Sequence, residues 1–181
     1  MRSTGVFVAC LLFCGVASAQ QAPAYSSKLA PYVASPSRVV ELMLDMAKVK
    51  PGETLYDLGS GDGRILVAAA GRKANAVGIE INPKLVAAAN DEINRAGVAE
   101  HAKVIQGDVM QTDFSSANVI TLYMDTGSNA KLRPQLEKYL KPGSRVVSHD
   151  YEIPGWKPVR VEKTEERQSH TVYLYEIGPK K

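Results

Sequence analysis

The chain has 181 residues, with 22 Lys and Arg against 19 Asp and Glu and a formal net charge of +3 at pH 7. That length builds one domain with a proper core, not two. The charge excess is small and scattered, with no basic run longer than Arg72-Lys73 or Lys180-Lys181, so it makes no case for nucleic-acid binding by counterion release.

In chain order, residues 1–19 read as a secretory signal. Arg2 is the positive start, residues 6–16 are the apolar stretch, and Ala17-Ser18-Ala19 is a small-residue cleavage site before Gln20. The apolar stretch is short for a membrane span. Cleavage predicts an exported, periplasmic domain; an uncleaved segment predicts an anchor, and with it the chain's membrane contact. Removing the segment takes away one charge, Arg2, and lowers the net charge from +3 to +2. Cys10 and Cys14 leave with it. The remaining chain then has no disulfide, thiolate metal site or cysteine nucleophile.

Residues 20–35 form a polar lead without periodicity, and the folded domain is predicted over residues 36–178. Ser35-Pro36 predicts a helix start, with Ser35 as cap and Pro36 at the first helical position. Val39, Val40, Met43, Leu44 and Ala47 give that helix one apolar face. Lys50-Pro51-Gly52 ends it. Thr54, Leu55 and Tyr56 then open a strand that runs into Asp57-Leu58-Gly59-Ser60-Gly61-Asp62-Gly63-Arg64, followed by helix-forming residues 65–70. Glycines at alternate positions let backbone approach a ligand closely. The helix start behind them offers unpaired N–H groups to an anion. A second strand ends on Glu80, where an acid can hold both hydroxyls of a ribose. A nucleoside-containing cofactor is the reading that follows. A dinucleotide site would want G-x-G-x-x-G, but Arg64 stands where the third glycine belongs, which argues against NAD and FAD.

Asn82-Pro83 starts a further helix that stops at Gly97, and Val104-Ile105-Gln106-Gly107-Asp108 is a third strand ending in Gly-Asp. Residues 118–123 are a nearly continuous apolar run, typical of a buried parallel strand. A helix over 132–140, closed by Pro142-Gly143, and a fifth strand over 145–148 follow. Residues 159–162 and 171–177 alternate apolar and polar, which is a hairpin signature. His101, His149 and His170 stand far apart and make no metal-ligand spacing, so no metal is predicted.

The glycine turn, Glu80 and Gly107-Asp108 together resemble the seven-strand S-adenosylmethionine (SAM) methyltransferases. The resemblance implies an α/β, Rossmann-like sheet of seven strands, mostly parallel with a C-terminal antiparallel hairpin and helices on both faces. It implies SAM as cofactor. Pro31-Tyr32-Val33-Ala34-Ser35-Pro36, the stretch from Tyr56 to Ile65, and Val77-Gly78-Ile79-Glu80-Ile81-Asn82-Pro83 are similar to a group of small lysine methyltransferases. Its eukaryotic members modify the ATP synthase c subunit and the adenine nucleotide translocase. Pro142-Gly143-Ser144-Arg145 and Ile153-Pro154-Gly155-Trp156 look like later motifs of that group, so the likeness covers residues 31–177. It implies cofactor contacts from Tyr32, Asp57, Gly59, Ser60, Gly61, Asp62, Gly63, Glu80, Asn82 and Asp108, with Asp108 accepting a hydrogen bond from the adenine amino group.

After the fourth strand this chain has Tyr123-Met124-Asp125-Thr126-Gly127-Ser128-Asn129, where bacterial relatives carry an apolar segment with Pro and Glu. Residues there line the methyl-transfer mouth, because ligands bind beyond the carboxyl ends of parallel strands. Tyr123, Asp125 and His149 are the candidate catalytic residues. Each has a plainer reading: a strand-end aromatic, a turn residue before Gly127, a strand-end histidine with its hydrogen bonds met. No Asn-Pro-Pro-Tyr follows the fourth strand, which disfavours methylation of a nucleic-acid base, and no carboxylate set stands ready for magnesium. The expected partner is a protein, including a membrane protein, or a small molecule. Methyl transfer to a lysine competes with a second reading, an exported non-catalytic binding module that kept the fold, because SAM is held in the cytosol. Aminopropyl transfer from decarboxylated SAM finds no support beyond the glycine turn.

Overall fold

The computed structural model describes residues 32–165 and 168–179; the signal segment and most of the lead lie outside them. Seven strands form one sheet: β1 (Thr54–Leu58), β2 (Asn75–Glu80), β3 (Ala102–Gln106), β4 (Val119–Leu122), β5 (Arg145–His149), β6 (Arg160–Lys163) and β7 (Thr171–Glu176). Their order across the sheet is β3-β2-β1-β4-β5-β7-β6. The first five pair in parallel, while β7 runs antiparallel to both β5 and β6. The seven-strand sheet and C-terminal antiparallel pair are those expected from the sequence. The chain builds outward from β1 to β3, returns, and continues from β4 on the other side of β1. That reversal opens a crevice at the carboxyl ends of β1 and β4, the position where open α/β sheets bind ligands.

Four helices cover the two faces: α1 (Ser37–Met46), α2 (Arg64–Gly71), α3 (Pro83–Arg95) and α4 (Thr126–Tyr139). Alternation along each strand divides the core. Leu55 and Val147 join Met43, Leu44 and Leu66 under α1 to α3, whereas Ile120 and Val146 join Phe114, Leu132 and Leu136 under α4. Every residue of β4 is fully buried, as its nearly continuous apolar run requires, and its one hydroxyl, on Thr121, is hydrogen-bonded.

Two helix starts differ from expectation. Ser35 does not cap α1: the helix begins at Ser37 behind Pro36, and the Ser35 hydroxyl bonds His149 instead. A tertiary partner outcompetes the local one. α4 begins at Thr126, six residues ahead of the predicted 132, because Asp125 accepts from the Ser128 N–H at 2.9 Å and starts the helix there. Gly127, Asn129 and Pro134 obscure the helical pattern in the sequence, and Pro134 is accommodated inside the helix.

Candidate functional site

The cleft lies where four strands end. The turn after β1, the end of β2 with residues 81–82, Gly107 to Val109 after β3, and Tyr123 with Met124 after β4 line it, together with residues 32–35 of the lead. Of the ten expected cofactor residues, nine stand in this lining: Tyr32, Asp57, Gly59, Ser60, Gly61, Asp62, Glu80, Asn82 and Asp108. Gly63 does not. It precedes α2 with φ +82°, and a Cβ there would lie 3.0 Å from the Ala89 Cβ, so its lack of a side chain serves the contact with α3.

At Gly61 the reason for glycine is different. A Cβ would fall 2.4 Å from Cε2 of Tyr32, whose ring lies directly on the turn. Asp62 secures that arrangement. Arg64 Nε and Nη2 donate to its carboxylate at 3.0 and 2.6 Å, and Arg64 Nη1 donates to the Ser35 carbonyl at 2.9 Å. Although burial works the other way, the bonds from Arg64 and from the Tyr32 hydroxyl hold Asp62 below the usual carboxylate range. The lead is therefore strapped onto the glycine turn at two points.

Glu80 organises the opposite wall. Its Oε2 accepts from the Gly61 N–H at 2.9 Å and its Oε1 from the Asn82 N–H at 2.8 Å. Asp108 accepts from the Met110 N–H at 2.9 Å. Asp57 is buried beside Thr121, its register partner on β4, whose hydroxyl donates to Oδ1 at 2.7 Å. Burial raises the Asp57 pKa to about 7; the Thr121 bond opposes this, and the charges of Glu80 and Asp62 add to it.

Ser60 belongs to the cleft lining, but its hydroxyl is turned inward against Gly78, buried and without a hydrogen-bond partner among the described residues. Gly78 on β2 makes room for it, since a Cβ there would lie 2.5 Å from the Ser60 Oγ. The sequence offered no sign of Gly78 beyond a glycine inside a strand, a mark of close backbone approach. The polar set, an acid at the end of β2, an acid after β3 and the backbone of a glycine turn, fits an adenosine-bearing cofactor.

The three candidate catalytic residues separate. Tyr123 lines the cleft and stacks on His149, with ring centroids 3.8 Å apart; burial, then the nearby Asp150 charge, raises its pKa. Asp125 is exposed, lies outside the lining and caps α4. His149 is fully buried behind Tyr123, its Nδ1 2.9 Å from Ser35 Oγ and its Nε2 2.9 Å from Nδ1 of His170. Burial pushes its pKa down to about 4, the Asp150 charge working against this and His170 with it. Asp150 completes the group, its Oδ2 2.9 Å from His170 Nδ1. Two histidines distant in sequence thus meet, because β5 and β7 are antiparallel neighbours, a pairing that spacing alone does not reveal. His101 stays apart, at the amino end of β3.

Fold and cleft define a Rossmann-like methyltransferase. Residues 57–160 match the model of the ANTKMT methyltransferase domain. A protein-lysine N-methyltransferase of Saccharolobus islandicus is 47% identical over 154 residues, covering 83% of this chain and 96% of that one. The Mus musculus lysine N-methyltransferase of the ATP synthase c subunit is 33% identical over 156 residues, covering 86% of this chain but 62% of the mouse protein. Among solved structures, an RNA methyltransferase from Salinibacter ruber in complex with S-adenosyl-L-homocysteine superposes with TM-score 0.78 at 44% identity, covering 82% of this chain and 95% of that one. The chain belongs to the ANTKMT methyltransferase family, and with it to the SAM-dependent methyltransferases. Nothing in these likenesses supports the non-catalytic module.

Proposed function

We propose that this chain is a protein-lysine N-methyltransferase whose cofactor lies in the cleft at the ends of β1 to β4. The observation that carries the cofactor assignment is the meeting of the glycine turn with Glu80 and Asp108 in one cleft at the strand ends. Glu80 would take the ribose hydroxyls, since the Gly61 and Asn82 N–H groups already orient both of its oxygens. Asp108 would meet the adenine edge, and Tyr32 would cover the turn. Bound SAM supplies an electrophilic methyl group on a sulfonium, itself a good leaving group. This chain's residues hold the acceptor amine in line with it, and orientation of that kind is worth about 7–11 kcal/mol.

A lysine acceptor must arrive neutral, against an ordinary pKa of about 10.4. Tyr32, Val33, Tyr123 and Met124 give the mouth a largely apolar rim, where desolvation disfavours the ammonium. Tyrosine faces also attract the cation before it loses its proton. Tyr123 is the residue we place against the acceptor; Asp125 supports α4, and His149 positions Tyr123 from behind. The 47% identity to a protein-lysine N-methyltransferase supports the acceptor class. The Salinibacter chain's description as an RNA methyltransferase makes RNA the competing acceptor.

The decisive experiment incubates the protein with methyl-labelled SAM and, in parallel, a membrane-protein extract and total RNA. Label on protein, recovered as methyl-lysine after hydrolysis, is the expected result. Label on RNA alone overturns the acceptor assignment. The pattern of residues 1–19 further supports export, or anchoring if they are retained. N-terminal sequencing of the native protein checks this, with a start at Gln20 expected and an intact Met1 in the cytosolic fraction against it.

A further inference from the structure

Behind Tyr123, three ligating atoms converge: His149 Nε2, His170 Nδ1 and Asp150 Oδ2. The two nitrogens are 2.9 Å apart, His170 Nδ1 is 2.9 Å from the carboxylate oxygen, and His149 Nε2 is 3.3 Å from it. Hydrogen bonding satisfies this triangle poorly. A ring nitrogen presents either one proton or one lone pair, so His170 Nδ1 must share a single proton between an imidazole and a carboxylate. A cation would satisfy all three atoms together. The edges of a tetrahedral zinc site are about 3.3–3.4 Å, given ligand distances near 2.0–2.1 Å. One edge has that length already, and the other two need to open by only a few tenths of an ångström.

The surroundings are those of a built site. Outer partners fix ligand orientation in metal sites, typically by holding the second nitrogen of each histidine and the second oxygen of each carboxylate. Here Ser35 Oγ holds His149 Nδ1 at 2.9 Å, and the Thr171 N–H donates to Asp150 Oδ1 at 2.8 Å. Asp150 sits at φ 59°, a left-handed conformation uncommon outside glycine, and its own N–H is tied to the Thr171 carbonyl at 2.7 Å. The backbone N–H of His170 is bonded to Thr164 Oγ1 at 2.9 Å, which fixes the main chain at that ligand. His149 and His170 are 0% and 6% exposed, so water competes little for their lone pairs.

We propose that His149, Asp150 and His170 bind a divalent first-row metal ion of the zinc type, with two nitrogens and one carboxylate oxygen as protein ligands. The donor set, imidazole with one carboxylate, suits zinc and its neighbours better than magnesium or calcium, which take oxygen shells. The ion joins the end of β5 to the start of β7 and, through Ser35, to the lead that lines the cofactor cleft. Its role is to position Tyr123 and that lead; methyl transfer needs no step at the metal. The site is independent of the methyl acceptor.

The test uses the untagged full chain, stripped with a chelator and titrated with zinc sulfate by calorimetry. One equivalent bound is expected, with Co2+ substitution giving visible bands of a nitrogen and oxygen site and no thiolate charge-transfer band, which separates it from Cys10 and Cys14. Asp150→Asn and His170→Gln should each weaken zinc at least tenfold while remaining folded by circular dichroism. Absence of stoichiometric zinc binding, or equal binding by both folded variants, overturns the proposal. Should both variants misfold, the ring 15N resonances of the wild-type protein decide: zinc must shift His149 Nε2 and His170 Nδ1, and unshifted resonances overturn it equally.

Discussion

Asp57 is a carboxylate walled into the sheet, hydrogen-bonded by the Thr121 hydroxyl with the charges of Glu80 and Asp62 nearby. Burial raises its pKa from 3.8 to about 7. A raised acid binds its proton more tightly folded than unfolded, so its contribution is fully present below pH 3.8 and is lost as pH rises to about 7. Ionisation above that window costs the unliganded protein on the order of 4 kcal/mol at most. Asp57→Asn keeps an oxygen for Thr121 and removes the charge. Thermal melts from pH 5 to 9 should show the variant gaining on the wild type as pH rises, and parallel curves would refute the buried charge. Glu80 is held by two N–H donors rather than stranded. Glu80→Ala leaves both without a partner and removes the proposed ribose contact. Loss of a charged hydrogen bond costs roughly 1.5–3 kcal/mol, or about 10- to 150-fold in S-adenosylhomocysteine affinity by calorimetry. Unchanged affinity would remove Glu80 from the ribose.

Among the elements, α4 shows most clearly what the sequence carried and what it hid. The β1 turn, Glu80 and Gly107-Asp108 were legible because each joins an apolar run to a residue type with few alternative uses, and the structure brings them to one cleft. The start of α4 was not, because its first turn holds Gly127 and Ser128, residues that ordinarily mark loops. The capping function of Asp125 appears only once the helix is seen. Asp125→Ala should therefore lower the melting temperature by a few degrees and leave the Michaelis constants for SAM and acceptor unchanged. A selective loss of turnover at constant stability would return Asp125 to the catalytic set. Tyr32 was legible only through resemblance, and how the lead is anchored was hidden for the opposite reason. Its anchors, Ser35 to His149 and Tyr32 to the glycine turn, span large sequence distances and leave no local pattern. The same holds for His149 and His170, which meet only because β7 inserts between β5 and β6.

At the scale of the molecule, the cleft is a seam. Segments after β1, β2, β3 and β4 meet there with the N-terminal lead, and the buried carboxyl groups of Asp57, Glu80 and Asp108 share it. Apart from ligand, that seam crowds its carboxyl groups together, so the unliganded fold gives up stability to keep its site ready. A ligand that binds only the folded chain returns stability by mass action: about 2.7 kcal/mol at a concentration of 100 times its Kd. For a chain of this size that corresponds to roughly 5–10 °C in melting temperature. S-adenosylhomocysteine should produce such a shift, and Glu80→Ala should abolish most of it at the same concentration. SAM adds a positive sulfonium to the same contacts. A cation beside Asp57 favours its ionised form, so the shift given by SAM should grow relative to that given by S-adenosylhomocysteine as pH rises through 7. Equal shifts at every pH would place the sulfonium away from Asp57.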